Sequence, residues 1–230
     1  MTINKIAKSF VIKNISIKGQ KNHDSGFTLI ELIVVVAMVG ILAAIAAPSW
    51  LGFVAQQRVN KVKDTVFTTL ADAQREAKKN KRTYNVAFRY NQTNKASEIL
   101  VYPGDPQPLA NIQSSTTWKA IGQDVGVKPG QVYIYTNLNA AIHNNKSTPN
   151  VIATTPGGGT ISFDFMGTLI QPDLGSAAAN NAIDNSSLGL KIAVAAPSPG
   201  GISATGTKNC VIIDTLIGGM RSEKGNKCDT

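Results

Sequence analysis

Side chains able to do chemistry are few in this chain, and they lie far apart. Two cysteines, Cys210 and Cys228, stand near the C-terminus, while the two histidines, His23 and His143, are remote from them and from each other. Catalysis would need a positioned acid, base, nucleophile or metal in a tighter grouping. His143 lies in Ala-Ile-His-Asn-Asn-Lys, a polar loop with no Cys, Asp or Glu at ligand spacing, and it reads as a surface residue. Asp105, Asp124, Asp164, Asp173 and Asp184 are scattered and form no ligand-spaced calcium run. Pro156-Gly157-Gly158-Gly159-Thr160 has the glycines of a phosphate loop but neither its lysine nor its following helix, so it predicts a tight turn between strands. No hydrolase elbow or zincin motif occurs. The expectation is a non-enzyme with no catalytic residues, no cofactor and no metal site. The cysteines can still pair: two thiols with no other metal ligand nearby suit a disulfide in an oxidising compartment. Bonded, they would close a loop of about eighteen residues, worth roughly 3 kcal/mol in the chain-entropy model. Two free thiols are the alternative, since spacing does not fix the distance between their Cα atoms.

The other informative group is a carboxylate in apolar surroundings. Glu31 interrupts Phe27-Thr28-Leu29-Ile30-Glu31-Leu32, which runs on through Ile33 to Ala47. From Phe27 to Ala47 the stretch approaches the length needed to cross a hydrocarbon core of ~30 Å. An acid there costs on the order of 2.5 to 3.5 kcal/mol if it reaches the membrane centre, so a compensating cation is required. Lysines before the run would hold the N-terminus in the cytoplasm and send the rest of the chain across. Ala43-Ala44 and Ala46-Ala47 make an ordinary signal peptide, cut after the apolar run, the alternative; Glu31 counts against it, because an acid serves no purpose in a signal core.

Gly26-Phe27-Thr28-Leu29-Ile30-Glu31 resembles the signal of type IV pilins and type II secretion pseudopilins. The resemblance implies that a prepilin peptidase cuts between Gly26 and Phe27 and methylates the new N-terminal residue, Phe27. It makes Glu31 the membrane-embedded acid of the family. Physically, the free α-amine of Phe27 on a neighbouring subunit would supply the missing cation, and Glu31 would fix axial register as subunits stack.

These residues need a long helix to carry them. Pro48 cannot donate into the preceding turn and should kink or locally melt the helix, with termination there as the alternative. Beyond it Val54, Val59, Val62, Val66, Leu70, Ala73 and Ala77 recur at three-to-five-residue steps among polar residues, forming one apolar stripe. A helix over residues 27–80 would be roughly 80 Å long at 1.5 Å per residue. After Asn80 the helical period gives way to short β-type runs. Thr83 to Tyr90 alternates, and Ile99 to Tyr102, Gln131 to Thr136, Thr160 to Phe165, Leu188 to Ala195 and Cys210 to Leu216 are further candidates. Gln171 to Ser187 reads as a polar surface loop.

The net charge is +9, and five lysines against Asp24 put +4 of it in the first 26 residues, leaving +5 beyond Gly26. Such a surplus permits weak attraction to anionic polymers and is equally common in proteins that merely stay soluble. Two later stretches, Ile161-Ser162-Phe163-Asp164-Phe165-Met166-Gly167 and Cys210-Val211-Ile212-Ile213 leading to Gly218-Gly219-Met220-Arg221, resemble the GspH/FimT group of minor pseudopilins and pilins. DNA-binding members of that group are thought to use a Gly-Arg-any-Arg turn. Here Gly218 and Arg221 fit and Gly219 takes the place of the first arginine, leaving Arg221, Lys224 and Lys227 as a small basic cluster that would contact an anionic ligand or simply be solvated.

The expected fold is therefore α+β and pilin-like: a cleaved cytoplasmic leader over residues 1–26, a long helix over 27–80 whose first part, 27–47, is transmembrane, and a β-rich domain over 81–230 packed on the helix. The expected function is a structural subunit, a minor pilin or pseudopilin of a type IV pilus or type II secretion pseudopilus. The alternative is a filament-tip subunit that binds DNA or another ligand. Expected partners are prepilin peptidase, other pilins or pseudopilins, inner-membrane lipid before assembly and, in the alternative, DNA. The expected location is the inner membrane with the C-terminal domain periplasmic, and then the filament.

Overall fold

The structure, a computed structural model, describes residues 26–147, 152–175 and 188–229. The chain divides into two compact units, the first ending at Ala46 and the second beginning at Ala47. In the first unit the described residues are Gly26 to Ala46, all exposed, and from Leu29 they are helical. They open helix α1 (Leu29–Asn80), which is long and apolar enough in this part to cross a membrane. The helical backbone continues across position 48, so Pro48 does not end α1.

In the second unit the expected stripe is the buried face of α1 from Val59 onward, while its first member, Val54, is only half-buried. Val59, Val62, Val66, Leu70, Ala73 and Ala77 are all 2% exposed or less, spaced three and four residues apart as one face of a helix requires. Lys78 and Lys79 in the last turn complement the helix dipole. The end itself is set by Lys81 in the left-handed region, at φ 50°, with the Arg82 N–H donating to the Ala77 carbonyl at 3.3 Å. That six-to-one bond closes a Schellman-type cap, built on a lysine where glycine is usual.

Among the described residues eight strands follow: β1 (Tyr84–Asn91), β2 (Ala96–Pro103), β3 (Lys119–Ala120), β4 (Tyr133–Thr136), β5 (Gly159–Phe163), β6 (Leu190–Pro197), β7 (Ala204–Ile213) and β8 (Met220–Lys224). Short helices α2 (Leu109–Ile112) and α3 (Asn226–Asp229) lie among them. Every pairing between strands is antiparallel, in two sheets ordered β3-β2-β1-β5 and β4-β6-β7-β8. Both sheets turn one face to the α1 stripe. Val86, Phe88, Ile161 and Phe163 come from the first, and Ile134, Ile192, Val194, Val211 and Ile213 from the second.

The α+β, pilin-like architecture expected from the sequence is the one observed. The residues of β1 alternate in sequence, yet Asn85 and Ala87 on its other face are fully buried along with Val86 and Phe88. The segment from Tyr102 to Trp118 folds back and places Leu109, Ile112 and Trp118 against Ala87 and Leu100. Burial on both faces comes from this distant cover, which periodicity does not report. Most of the expected loop Gln171 to Ser187 lies outside the described residues; its start is tied down by a bridge between Asn145 and Asp173.

Candidate functional site

The chemistry around Gly26 follows from how α1 begins. Thr28 precedes the first helical residue, and its hydroxyl accepts a hydrogen bond from the Glu31 N–H at 3.2 Å while its carbonyl accepts one from Leu32 N at 3.1 Å. Thr28-Leu29-Ile30-Glu31 has the threonine-any-any-glutamate order of a capping box, with Glu31 in the first turn where the helix dipole favours negative charge. The cap keeps Gly26 and Phe27 out of the helix. The Gly26–Phe27 peptide is thus in exposed, non-helical chain, the form a peptidase can draw into its active site, and Phe27 is 80% exposed. This role of Thr28 is legible in the sequence through the capping-box spacing. Glu31 is exposed among Ile30, Leu32, Val34 and Val35, each itself exposed. No cation among the described residues is paired with it by a salt bridge.

At the other end of the chain, Cys210 on β7 and Cys228 on α3 form a disulfide with Cα atoms 5.7 Å apart. Both are fully buried, in a second core on the outer face of the β4-β6-β7-β8 sheet with Tyr133, Tyr135, Ala193, Ala195 and Ile212. Here the bonded alternative holds, and it pins α3 to the sheet.

Gln74 of α1 brings together the two later stretches singled out in the sequence. Its Nε2 donates to the carbonyls of Gly167 at 2.7 Å and Ile217 at 3.0 Å, with Gly218 O a third, longer partner at 3.4 Å. Gly218 has φ +73°, and a Cβ there would meet Gln74 Nε2 at 2.7 Å, so the residue type and the close approach belong together. Asp164, among the scattered aspartates, is used up in the first of these turns: Oδ1 accepts from Met166 N and Thr168 N, and Oδ2 from the Thr168 hydroxyl. Nothing about Gln74 stands out in sequence, because its partners are far along the chain.

The expected basic turn is in part a strand. Arg221 lies on β8, donating through Nε to Asp214 at 2.6 Å and through Nη1 to Glu223 at 2.7 Å. The hydrogen bond to Asp214 holds the guanidinium above its ordinary pKa, against a smaller opposing effect of burial. Lys227 approaches Glu223 at 3.5 Å, and Lys224 is exposed. The three cations thus stand among two carboxylates. His143 differs from expectation too: it is half-buried, its Nε2 lies in the interior with no hydrogen-bond partner among the described residues, and burial lowers its pKa. Its neighbour Asn144 explains the placement, bonding through its side chain to Ser162 N, Ser162 O and Ile170 O and so pulling the loop into the edge of β5. Pro156 to Thr160 is the entry into β5. A Cβ on Gly158 would overlap the Phe88 carbonyl, so glycine lets this segment approach β1. Among the described residues no group of three or more His, Cys, Asp or Glu is arranged to hold a metal ion.

With this geometry in place, residues 21–47 match the prokaryotic N-terminal methylation motif. The chain is also 52% identical over 42 residues to the type IV major fimbrial protein FimA of Dichelobacter nodosus, covering 18% of this chain and 27% of that one. It is 47% identical over 51 residues to a fimbrial protein of Moraxella nonliquefaciens, covering 22% and 30%, and 46% identical over 41 residues to the type IV major alpha-pilin of Moraxella bovis, covering 18% and 26%. The match spans between a quarter and a third of the length of these curated relatives. No solved structure matches the chain significantly. The chain is type IV prepilin-like, with the methylation motif at its N-terminus and a pilin-like helix-and-sheet architecture behind it. Its apolar helix and motif fit an inner-membrane-anchored pilin.

Proposed function

We propose that this chain is a structural subunit, a minor pilin or pseudopilin, of a type IV pilus or type II secretion pseudopilus. The observation that carries the reading is the capped start of α1: a helix of exposed apolar residues begins two residues after Gly26–Phe27 and holds one acid, Glu31, in its first turn. The steps follow from that arrangement. Prepilin peptidase cleaves the non-helical Gly26–Phe27 peptide and methylates the amine of Phe27. The processed chain waits in the inner membrane with its β-rich domain on the periplasmic side. In assembly the apolar helix leaves lipid for equivalent helices, and Glu31 meets the amine of a neighbouring Phe27, which offsets the cost of an apolar setting for both charges and selects one axial register.

The alternative, a filament-tip subunit that captures DNA, has fewer free cations to work with, since Arg221 is already held by Asp214 and Glu223. It would need Lys224 and Lys227 to carry the contact.

The reading is tested by intact-mass and N-terminal analysis of the chain from membranes with and without active prepilin peptidase. The expected result is an N-methylated Phe27 terminus that depends on the peptidase. A terminus near Ala47, or an uncut chain in the presence of the peptidase, would overturn it.

A further inference from the structure

Phe165, Met166, Leu216 and Ile217 are between 57% and 71% exposed. They occupy the tips of two neighbouring turns, where solvated chains ordinarily place Gly, Asn, Asp or Ser. The turns touch: Leu169 N donates to Leu216 O at 3.0 Å, and Gln74 binds Gly167 O and Ile217 O together. Each is also braced internally, the first by Asp164 and the second by Thr215, whose hydroxyl accepts from Gly219 N at 2.6 Å. The four side chains thus stand on a backbone held by hydrogen bonds, so little ordering entropy would be lost when a partner covers them.

We infer that these two turns form a docking surface for an adjoining subunit, one anchored by the same kind of methylated N-terminal helix. The area selects this occupant. Four large apolar residues this exposed make a patch on the order of 300 to 600 Å², the range of the largest patch a monomer ordinarily exposes and one that is often functional. That falls short of the about 800 Å² a side that holds two free proteins together. It suits a contact made between subunits already held side by side by their helices, where the second contact is intramolecular in effect and a small area suffices. The inference rests on the filament reading above.

The test uses the full chain in membranes of a host with prepilin peptidase and an assembly machinery. A photo-crosslinking residue is placed at Ile217 and, as a control, at exposed Gln123 beside the β3 edge; adducts are identified by mass spectrometry. The expected result is an adduct at 217, enriched over 123, to a chain whose N-terminus is itself N-methylated. In parallel, L216N/I217N should lower recovery in the sheared filament fraction by about tenfold, the scale of one interface anchor. Its processing and its Cys210–Cys228 bond should be unchanged, which shows that the variant folds. Adducts only to lipid or to non-methylated proteins, equal adducts at both positions, or normal assembly of the double variant would overturn the docking surface alone. A wild-type chain that is neither cut after Gly26 nor found in filaments would overturn the filament reading and the inference with it.

Discussion

Gln74 shows how much one side chain can organise. Its amide nitrogen has two hydrogens, and three carbonyls of two separate turns surround it. Removing it strands the Gly167 and Gly218 carbonyls in a part-buried setting, while the exposed Ile217 carbonyl can turn to water; each unmet buried acceptor costs about 1 to 3 kcal/mol. Gln74→Ala should therefore lower stability by about 2 kcal/mol, read as a drop in the urea midpoint of the detergent-solubilised chain. Glutamate at 74 should do no better, because it offers acceptors where donors are needed. His143 gives a pH signature of its own. Burial holds its pKa below the ordinary value of 6.5, so the folded chain resists a proton that the unfolded chain takes up. Its contribution is neutral above that pH, and stability falls as pH drops below it. His143→Gln should flatten that part of the profile, measured as the difference in urea midpoint between the two chains at neutral and mildly acidic pH.

Among the elements, α3 depends most on a single bond. It is four residues long, too short to persist alone in water, and it is fixed by the disulfide from Cys228 to β7 together with the burial of both cysteines. Replacing both by alanine should cost roughly 2 to 4 kcal/mol, and reduction of the native chain should shift its urea midpoint in the same direction. The loss should include faster proteolysis after β8 while α1 stays protected, since the helix stripe is buried in the other core. Elements differ in how plainly they could be read. The α1 stripe and the runs that became β1, β2, β4, β5, β6 and the second half of β7 carry their own periodicity. β8 does not: Met-Arg-Ser-Glu-Lys has no apolar alternation, and it is a strand because β7 offers it a hydrogen-bonding edge from Asn209 to Ile213. Likewise β3 is two residues paired to Glu98 and Ile99, below the length at which any sequence pattern exists.

For the whole molecule, the capped and apolar start of α1 is what would commit the chain to assembly, and Glu31 is the residue on which that commitment turns. Glu31→Gln removes the charge while keeping the side chain's shape and the first-turn position. The variant should still be cut after Gly26, because Thr28 still caps the helix, yet its recovery in the filament fraction should fall by tenfold or more, as expected of an ion pair left with one member in apolar surroundings. Comparing the N-terminal mass with the sheared fraction separates the two steps.

The division between what sequence determines and what folding adds is physical. Cap, apolar span and helical stripe are all set by residues within a few positions of one another, where covalent geometry fixes which side chains share a face, so the sequence by itself determined them. Tertiary structure alone decided that Arg221 is spent on Asp214 and Glu223, that His143 is drawn inward by Asn144, that both faces of β1 are covered, and that two apolar turns meet at Gln74. The bonds made by Gln74 span 93, 143 and 144 positions. Contacts at that separation arise from how the two sheets pack on α1, and no local pattern of residues encodes them.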